Sequence, residues 1–284
     1  MPRGAAAPGL YLVATPIGNL ADISLRALDL LSKADVIACE DTRVTRKLLA
    51  AHGLHTAMTT YHEHNAERVR PRLIEHMKCG KAVALVSDAG TPLLSDPGYK
   101  LVQAAAAAGI AVTALPGASA ALAALVVSGL PSDRFLYAGF LPAKSAARRQ
   151  VLHELAAVPA TLIVYESARR LPAALADMAA VLGPRPGAVA RELTKLHEEV
   201  RREPLDVLAA HYAAAGPPRG EVVIVIGPPV AAATDTDDLD AHLRAALATE
   251  SLRDAVAAVA AVTGVPRQKV YARALELRRP GAAP

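Results

Sequence analysis

The chain has 284 residues, of which 52% are hydrophobic and 20% are charged, and 31 Lys and Arg against 27 Asp and Glu give a net charge of +4. This composition is typical of a globular protein and excludes a disordered tail or a fibre. Cys39 and Cys79 are too few for a disulfide framework, and a single core stops growing near about 250 to 300 residues, so about two domains are expected. No stretch offers the ~20 apolar residues of a membrane span, and Pro8 and Pro16 interrupt any signal peptide. We therefore expect a cytoplasmic protein without membrane association.

The first part of the chain alternates short apolar runs with longer amphipathic stretches. Five apolar runs are predicted to be strands, at residues 10–14, 36–39, 58–61, 82–86 and 110–114. Strands of this length separated by helices indicate βαβ units, because parallel neighbours need a crossover. We predict a doubly wound, mostly parallel α/β domain over residues 1–130.

A second set of strands follows the turn at Gly129 to Asp133. Predicted strands lie at 135–138, 161–165, 188–191 and 221–226, with an additional one at 197–202. They predict a second α/β domain over residues 131–230, whose topology is mixed if the additional strand joins the sheet. Residues 231–284 are expected to be helical, with helices at 237–248, 252–262 and 267–277. The last two, separated by a turn near Gly264, resemble a helix-turn-helix.

Four loops after the strands of the first domain are expected to carry the site, because ligands of an open parallel sheet bind beyond the carboxyl ends of its strands. They cover residues 15–20, 40–43, 87–98 and 116–120. Some of these residues have a purely architectural explanation, such as Asp96 as a helix N-cap before Pro97. The turn from Asp88 to Pro92 is longer than capping requires, which favours a backbone that approaches a ligand.

The same loops indicate what kind of ligand is expected. The sequence contains neither of two glycine-rich phosphate-binding motifs, G-x-x-x-x-G-K-[ST] and G-x-G-x-x-G. The loops after the first, fourth and fifth strands contain no Lys or Arg. A polyphosphate or a dinucleotide therefore fits poorly. A ligand with an adenine-like ring and a cationic end, such as S-adenosylmethionine, fits better, with Asp41 and Asp88 near its positive charge. His62 and His64 have no third ligand at recognisable spacing, so no metal site is expected.

Eight segments together carry a resemblance to a known family. In chain order they are VATPIGNLADIS, EDTR, SDAGTPLLSDPG, LPGASA, GFLP, YES, RELTKLHEE and GEVVIVIGP. They resemble the ribosomal RNA small-subunit methyltransferase I family (RsmI), within the tetrapyrrole methylase superfamily. The resemblance implies a tetrapyrrole-methylase-like fold, usually dimeric, with S-adenosylmethionine in a cleft between two α/β domains. One departure is that the family usually continues YES with Pro-His-Arg, whereas Ser167 is followed here by Ala168, Arg169 and Arg170.

The resemblance also implies an activity, the methylation of the ribose 2′-oxygen of cytidine 1402 in 16S ribosomal RNA. The cofactor contacts it implies are Pro16, Ile17, Gly18, Asp88, Ala89, Gly90, Thr91, Ser119, Ala120, Tyr165 and Ala190. A ribose hydroxyl is a weak acid, so a base or a cation near it should help by ~10² to 10⁴-fold. The segment after the third strand of the second domain offers both, and we hypothesise that Glu192 or Lys195 assists proton loss. Arg191 and Glu166 are further candidates.

Clustered basic residues are the expected RNA contacts, because Arg meets phosphate oxygens without reading sequence. In the second domain they are Arg148, Arg149, Arg169, Arg170, Arg201 and Arg202, and in the tail Arg267, Lys269 and Arg273. For the tail, RNA docking competes with a packing or dimer role. The expected partner is 16S ribosomal RNA within the 30S subunit. Two alternatives stay open, a methyltransferase of a tetrapyrrole or other small molecule, and a non-catalytic RNA-binding factor.

Overall fold

The computed structural model describes residues 5–229, 236–263 and 265–278. The chain divides into two compact units, the first ending at Gly227 and the second beginning at Pro228. In the described residues the first unit holds two five-stranded sheets, and the second unit is helical. The domain boundaries expected from the sequence, 1–130, 131–230 and 231–284, stay a prediction, because both sheets belong to one compact unit.

The first sheet is entirely parallel, with the order β3-β2-β4-β1-β5. Its strands are β1 (Gly9–Val13), β2 (Val36–Cys39), β3 (Met58–Thr60), β4 (Ala82–Val86) and β5 (Val112–Leu115). The helices between and after them are α1 (Leu25–Lys33), α2 (Thr42–Ala51), α3 (Ala66–Lys78), α4 (Tyr99–Ala107) and α5 (Ala120–Ser128). Every residue of the central strand β4 is buried, as expected where helices cover both faces of a sheet. The predicted doubly wound α/β architecture is confirmed.

The strand β5 begins two residues later than the apolar run at 110–114 predicts. Gly109 has a φ of +70° and ends α4, and the Ile110 N–H donates back to the Ala105 carbonyl at 3.0 Å. This bond belongs to a helix-ending motif in which a left-handed glycine lets the chain cap the last carbonyls. Ile110 is thus occupied by the helix end and is not available to the sheet.

The second sheet is mixed, with the order β6-β7-β10-β8-β9. Its strands are β6 (Phe135–Phe140), β7 (Thr161–Ser167), β8 (Pro186–Arg191), β9 (Glu199–Pro204) and β10 (Glu221–Ile226). Only β6 and β7 pair in parallel. The additional strand expected at 197–202 is β9, displaced by two residues. The displacement follows from a turn before it, in which the Thr194 N–H donates to the Glu198 carboxylate at 2.6 Å.

The helix α5 joins the two sheets. Its buried residues Ala121, Ala124 and Leu125 pack in one cluster with residues of the second sheet, among them Ile163 and Val223. The opposite face of the second sheet is covered by three helices, α6 (Ser145–Leu155), α7 (Leu171–Leu182) and α8 (Leu205–Ala215). Because α5 follows the loop after β5, it brings the site edge of the first sheet next to the second sheet.

The second unit consists of α9 (Thr236–Leu247), α10 (Leu252–Thr263) and α11 (Arg267–Leu277) in its described residues. Its core contains Leu243, Val259, Val270 and Ala274. The helices fall where the sequence predicts them, while the turn residue Gly264 lies outside the described residues. None of the helices in the described parts of the chain has the length and apolar character needed to cross a membrane.

Candidate active site

The four loops after the strands of the first sheet are tied to one another. Thr15 and Gly90 exchange two backbone hydrogen bonds of 2.9 and 3.0 Å. The Thr91 hydroxyl donates to the Ala118 carbonyl at 3.1 Å, and the Asp41 N–H donates to the Asp88 carboxylate at 3.1 Å. The loops therefore meet at the carboxyl edge of the sheet, as the topology predicts.

A cavity of about 400 Å³ lies between these loops and the second sheet. From the first sheet it is lined by Ile17, Ala89, Gly90, Thr91, Leu94, Ser95, Asp96 and Ala120. From the second it is lined by Phe140, Tyr165, Glu166, Ser167, Ala168, Ala190, Glu192, Leu193, Lys195, Gly220, Glu221, Val222 and Val223. A largely apolar cavity of this size with a few polar groups is typical of a small-molecule site.

Backbone strain is concentrated in two loops that line the cavity. Among the described residues, the positive φ values outside glycine belong to Leu93 (76°), Ser95 (66°), Glu192 (49°) and Thr194 (66°). Left-handed backbone costs an L-residue about 1 to 2 kcal/mol. Such strain persists only where the surroundings hold it, and it clusters at functional sites. The loops after β4 and β8 are therefore the parts of the wall shaped most specifically.

The expected cofactor residues divide into two groups. Seven line the cavity, namely Ile17, Ala89, Gly90, Thr91, Ala120, Tyr165 and Ala190. The other four, Pro16, Gly18, Asp88 and Ser119, do not line it. Ser119 instead caps α5 through its hydroxyl, and Asp88 orients the loop after β2 through the Asp41 N–H. Gly18 lies against Lys195, since a Cβ on Gly18 would come within 2.4 Å of the Lys195 Cγ.

An aromatic wall closes the side of the cavity formed by the second sheet. The Tyr165 ring makes edge contacts with Tyr137 and Phe140, at centroid distances of 5.0 and 5.6 Å. The Tyr165 hydroxyl accepts a hydrogen bond from the Ala121 N–H at 3.1 Å. Burial raises the pKa of Tyr165 to about 12, so its hydroxyl stays protonated at neutral pH. Phe140 is 56% exposed and lies at the open side of the wall.

Phe140 and Asp96 line the cavity although the sequence interpretation gave neither a ligand role. Both lie inside motifs that carried the family resemblance, and this was the signal in the sequence that could have identified them as site residues. The expected role of Asp96 as a helix N-cap is wrong, because α4 begins at Tyr99 after Gly98 and has no side-chain cap.

Acidic side chains gather behind and along the loops of the first sheet. Burial raises the pKa of Asp96 to about 6, with the nearby Glu40 carboxylate adding to the effect. Burial also raises the pKa of Glu40 and of Asp88. Asp41 differs, because hydrogen bonds from the Arg43 side chain and backbone lower its pKa to about 2. This edge of the cavity thus has a negative potential that suits a cation.

Glu192 and Lys195, the predicted groups for proton loss, are bonded to each other. The Lys195 ammonium donates to the Glu192 and Glu221 carboxylates, each at 2.8 Å. Glu192 also accepts the Glu221 N–H at 3.0 Å. The Lys195 hydrogen bond is the main reason that the pKa of Glu192 lies below its usual value. Both side chains line the cavity, but the Glu192 carboxylate is a poor base.

The other two catalytic candidates lie on the faces of their strands opposite Tyr165 and Ala190, because side chains alternate along a strand. Tyr165 shares its face of β7 with Ile163, so Glu166 lies on the opposite face, where its side chain is 0% exposed and pairs with Arg170 at 2.9 Å. Arg191 lies on the opposite face of β8 from Ala190 and pairs with Glu199 at 2.8 Å. Glu166 borders the cavity and Arg191 does not, and both charges are paired within the protein, so their expected catalytic roles stay a prediction.

Most of the expected RNA contacts in the first unit are already bonded within the protein. Arg148 is only 3% exposed and pairs with Asp177 at 2.6 Å, so the expected RNA contact is wrong for this residue. Three others also have protein partners, Arg170 on Glu166, Arg201 on Glu199 and Arg202 on the Val127 carbonyl. Arg149 and Arg169 are exposed, and their side chains have no ion pair within the described residues.

The expected RNA contacts of the second unit also differ in whether the protein already binds their charged groups. Arg273 pairs with the buried Asp240 through two hydrogen bonds of 2.8 Å, which lower the pKa of Asp240. Its guanidinium therefore connects α11 to α9, and this does not fit the expected RNA contact. Arg267 and Lys269 are exposed, and no described side chain pairs with them. Arg267 borders a groove of about 400 Å³ with Arg253, Gln268 and Tyr271 among its lining residues.

Two protein families and several relatives of known name match nearly the whole chain. Residues 9–209 match the family described as Tetrapyrrole (Corrin/Porphyrin) Methylases, and residues 233–278 match the RsmI C-terminal HTH domain. The protein named Ribosomal RNA small subunit methyltransferase I of Mesorhizobium japonicum is 54% identical over 95% of this chain and 92% of its own length. Its namesake from Escherichia coli O157:H7 is 45% identical over 94% of each chain.

Solved structures share the fold at low sequence identity. Diphthine synthase has a TM-score of 0.59 and 19% identity, covering 77% of this chain and 89% of its own. Uroporphyrin-III C-methyltransferase from Thermus thermophilus, in complex with S-adenyl homocysteine, has a TM-score of 0.53 and 22% identity, covering 77% and 97%. From the family matches and the identity to its curated relatives, the chain belongs to the ribosomal RNA small subunit methyltransferase I family, on the fold of the tetrapyrrole methylases.

Proposed function

We propose that this protein uses S-adenosylmethionine to methylate the ribose 2′-oxygen of cytidine 1402 in 16S ribosomal RNA. The 30S subunit in the cytoplasm is the proposed substrate, and a homodimer is the proposed form of the enzyme. The observation that carries the proposal is the cavity between the two sheets, in a chain that belongs to a ribosomal RNA methyltransferase family.

The residues around the cavity fit S-adenosylmethionine. Ile17, Leu94 and Val223 offer apolar surface for an adenine ring, and Thr91 and the backbone of the loops offer polar groups. The acidic edge near Asp96 suits the positive charges of the sulfonium and the amino group. A neighbour with the same fold is complexed with S-adenyl homocysteine, the demethylated form of this group. S-adenosylmethionine, when bound, would supply the methyl group for transfer.

The protein contributes mainly by positioning the reacting atoms. Methyl transfer needs the acceptor oxygen, the methyl carbon and the sulfur in line, and holding them so can supply ~7 to 11 kcal/mol. The strained loops at Leu93–Ser95 and Glu192–Thr194 and the wall of Tyr165 give the cavity a defined shape. Removing water from this space strengthens the electrostatic interactions within it.

RNA is proposed to meet the exposed basic residues of both units. Arg149 and Arg169 in the first unit, and Arg267 and Lys269 in the second, have guanidinium or ammonium groups free of described protein partners. In the groove of the second unit, Arg253 and Arg267 supply positive charge next to Tyr271, whose ring is 47% exposed. Phosphate contacts with a stacking aromatic are typical of binding to unpaired RNA.

Exposed apolar residues support the homodimer. On α5, Leu122 is 48% and Val126 is 73% exposed, on the side away from the residues that pack on the second sheet. The edge strand β5 also exposes Val112. A second copy of the chain is the proposed cover for Leu122 and Val126, which lie one helical turn apart, because exposed apolar surface of a folded protein marks an interaction site.

The test is to incubate the purified protein with labelled S-adenosylmethionine and either 30S subunits or bare 16S ribosomal RNA, and to map the modified ribose. Label on the 2′-oxygen of cytidine 1402 is the expected result. Label only on an added tetrapyrrole would support the small-molecule alternative. Binding of RNA without binding of the methyl donor in calorimetry would support a non-catalytic factor, and either result would overturn the proposal.

A further inference from the structure

Four carboxylates border the cavity, and three of them are paired with a cationic side chain. They belong to Asp96, Glu166, Glu192 and Glu221. Glu166 pairs with Arg170, and both Glu192 and Glu221 pair with Lys195. Among the residues that the structure describes, no Lys, Arg or His lies within ion-pair distance of the Asp96 carboxylate. A carboxylate held by a cation is a weak proton acceptor, so Asp96 is distinct within this group.

We infer that Asp96 is the catalytic base, the group that accepts the proton of the ribose 2′-hydroxyl during methyl transfer. The inference rests on the function proposed above and names a residue to which neither the family resemblance nor the sequence pattern gave a catalytic or ligand role.

The loop around Asp96 is built to hold its side chain at the cavity. Leu93 and Ser95, which precede it, are held in the left-handed region at φ values of 76° and 66°. The Ser95 hydroxyl lies 2.6 Å from the Tyr137 hydroxyl, so that the loop of the first sheet is anchored on a strand of the second. Gly98 closes the loop, because a Cβ there would come within 2.7 Å of the Leu85 side chain.

The groups that face Asp96 are acidic or neutral from each element packed around it. Glu40 follows β2, Asp88 and Ser87 follow β4, and the phenols of Tyr137 and Tyr165 lie on the strands of the second sheet. Burial and the Glu40 charge raise the pKa of Asp96 to about 6, while the Ser87 hydroxyl opposes the rise. A base with a pKa close to the working pH is mostly ionised and still takes up a proton readily.

The reaction balances with Asp96 in this role. The ribose oxygen forms a bond to the methyl carbon as the carbon–sulfur bond breaks, and the bonding electron pair stays on sulfur to give a neutral thioether. The hydroxyl proton passes to the Asp96 carboxylate, which becomes a neutral carboxylic acid and later releases the proton to solvent. No oxidant, reductant or further reactant is needed.

The test compares the wild type with Asp96→Asn, which keeps the shape of the side chain and removes the base. The control is Asp206→Asn, at an exposed carboxylate in the first turn of α8. Single-turnover methylation of 30S subunits at saturating S-adenosylmethionine should fall by about 10² to 10⁴-fold in Asp96→Asn and remain unchanged in the control. The affinity for S-adenosylmethionine, measured by calorimetry, should change by less than about tenfold.

The pH profile supplies a second readout that does not depend on the folding of a variant. The wild-type rate should rise about tenfold per pH unit below about pH 6 and level off above it, and this limb should be absent from Asp96→Asn. A wild-type profile without this limb, or a variant that is as fast as the wild type or impaired only in binding the methyl donor, would overturn the inference. A wild type that methylates no RNA would instead overturn the proposed function.

Discussion

The side chain of Lys195 lies across Gly18, joining the loop after β8 to the loop after β1. A Cβ on Gly18 would approach the Lys195 Cγ to 2.4 Å and the Thr194 hydroxyl to 2.9 Å. The ammonium group of Lys195 is in turn fixed by Glu192 and Glu221. The contact between Gly18 and Lys195 leaves no space for a methyl group on Gly18. It therefore sets the distance between the two loops.

Replacement of Gly18 by alanine is expected to force these loops apart. The added methyl group overlaps the inner part of the Lys195 chain, so Gly18→Ala should destabilise the protein by about 1 to 3 kcal/mol and weaken binding of S-adenosylmethionine. Urea unfolding and calorimetry measure the two effects. The double variant Gly18→Ala with Lys195→Ala should recover part of the loss, because removal of the Lys195 chain makes room for the methyl group. Strictly additive effects would contradict this account.

Glu192 is expected to hold the loop and not to take the proton. Since Lys195 already lowers its pKa, Glu192→Gln should reduce stability by about 1 kcal/mol and leave the acidic limb of the pH–rate profile in place. Its pKa is lower in the folded than in the unfolded protein, so its contribution is complete above the unfolded value of 4.5 and is lost as the pH falls through the folded value. Unfolding free energies of both proteins between pH 7 and pH 3 should therefore converge at the acidic end; curves that stay parallel would contradict the assignment.

The sequence was sufficient for the loops that form the site and insufficient for the direction of several side chains. Parallel sheet topology places loops at one edge whatever their sequence, so the meeting of the loops that hold Ile17, Gly90 and Ala120 was predictable. Tyr165 and Ala190 lie on strands of the second sheet and were expected only from the family resemblance. In β7 both faces are covered, and the run TLIVYES gives no alternation that would separate Tyr165 from Glu166. Arg148 has its partner at Asp177, on another helix, and no local pattern shows such a pair.

Arg148 and its neighbour Arg149 are expected to differ sharply when each is replaced by alanine. Arg148 connects α6 to α7 through Asp177, which is itself buried, so Arg148→Ala leaves an unpaired buried charge and should cost about 3 to 5 kcal/mol. Arg149 is exposed, and Arg149→Ala should change stability by less than about 0.5 kcal/mol. Urea unfolding measures both. RNA binding, measured without urea, should be weakened in Arg149→Ala because its guanidinium is free to contact phosphate. Equal unfolding free energies of the two variants would contradict the division between structural and docking residues.

The helical unit offers the same comparison on a single helix, α11. Arg267 and Lys269 are exposed, whereas Arg273 is bonded to Asp240. The double variant Arg267→Ala with Lys269→Ala should lower the affinity for 30S subunits and reduce the dependence of log K on log salt concentration by about 1 to 2 units, because each lost phosphate contact removes released counterions. Its thermal unfolding should not change. Arg273→Ala should instead lower the unfolding temperature of the unit, because Asp240 keeps a buried charge without its two hydrogen bonds. An unchanged salt dependence in the double variant would show that α11 serves packing and not RNA docking.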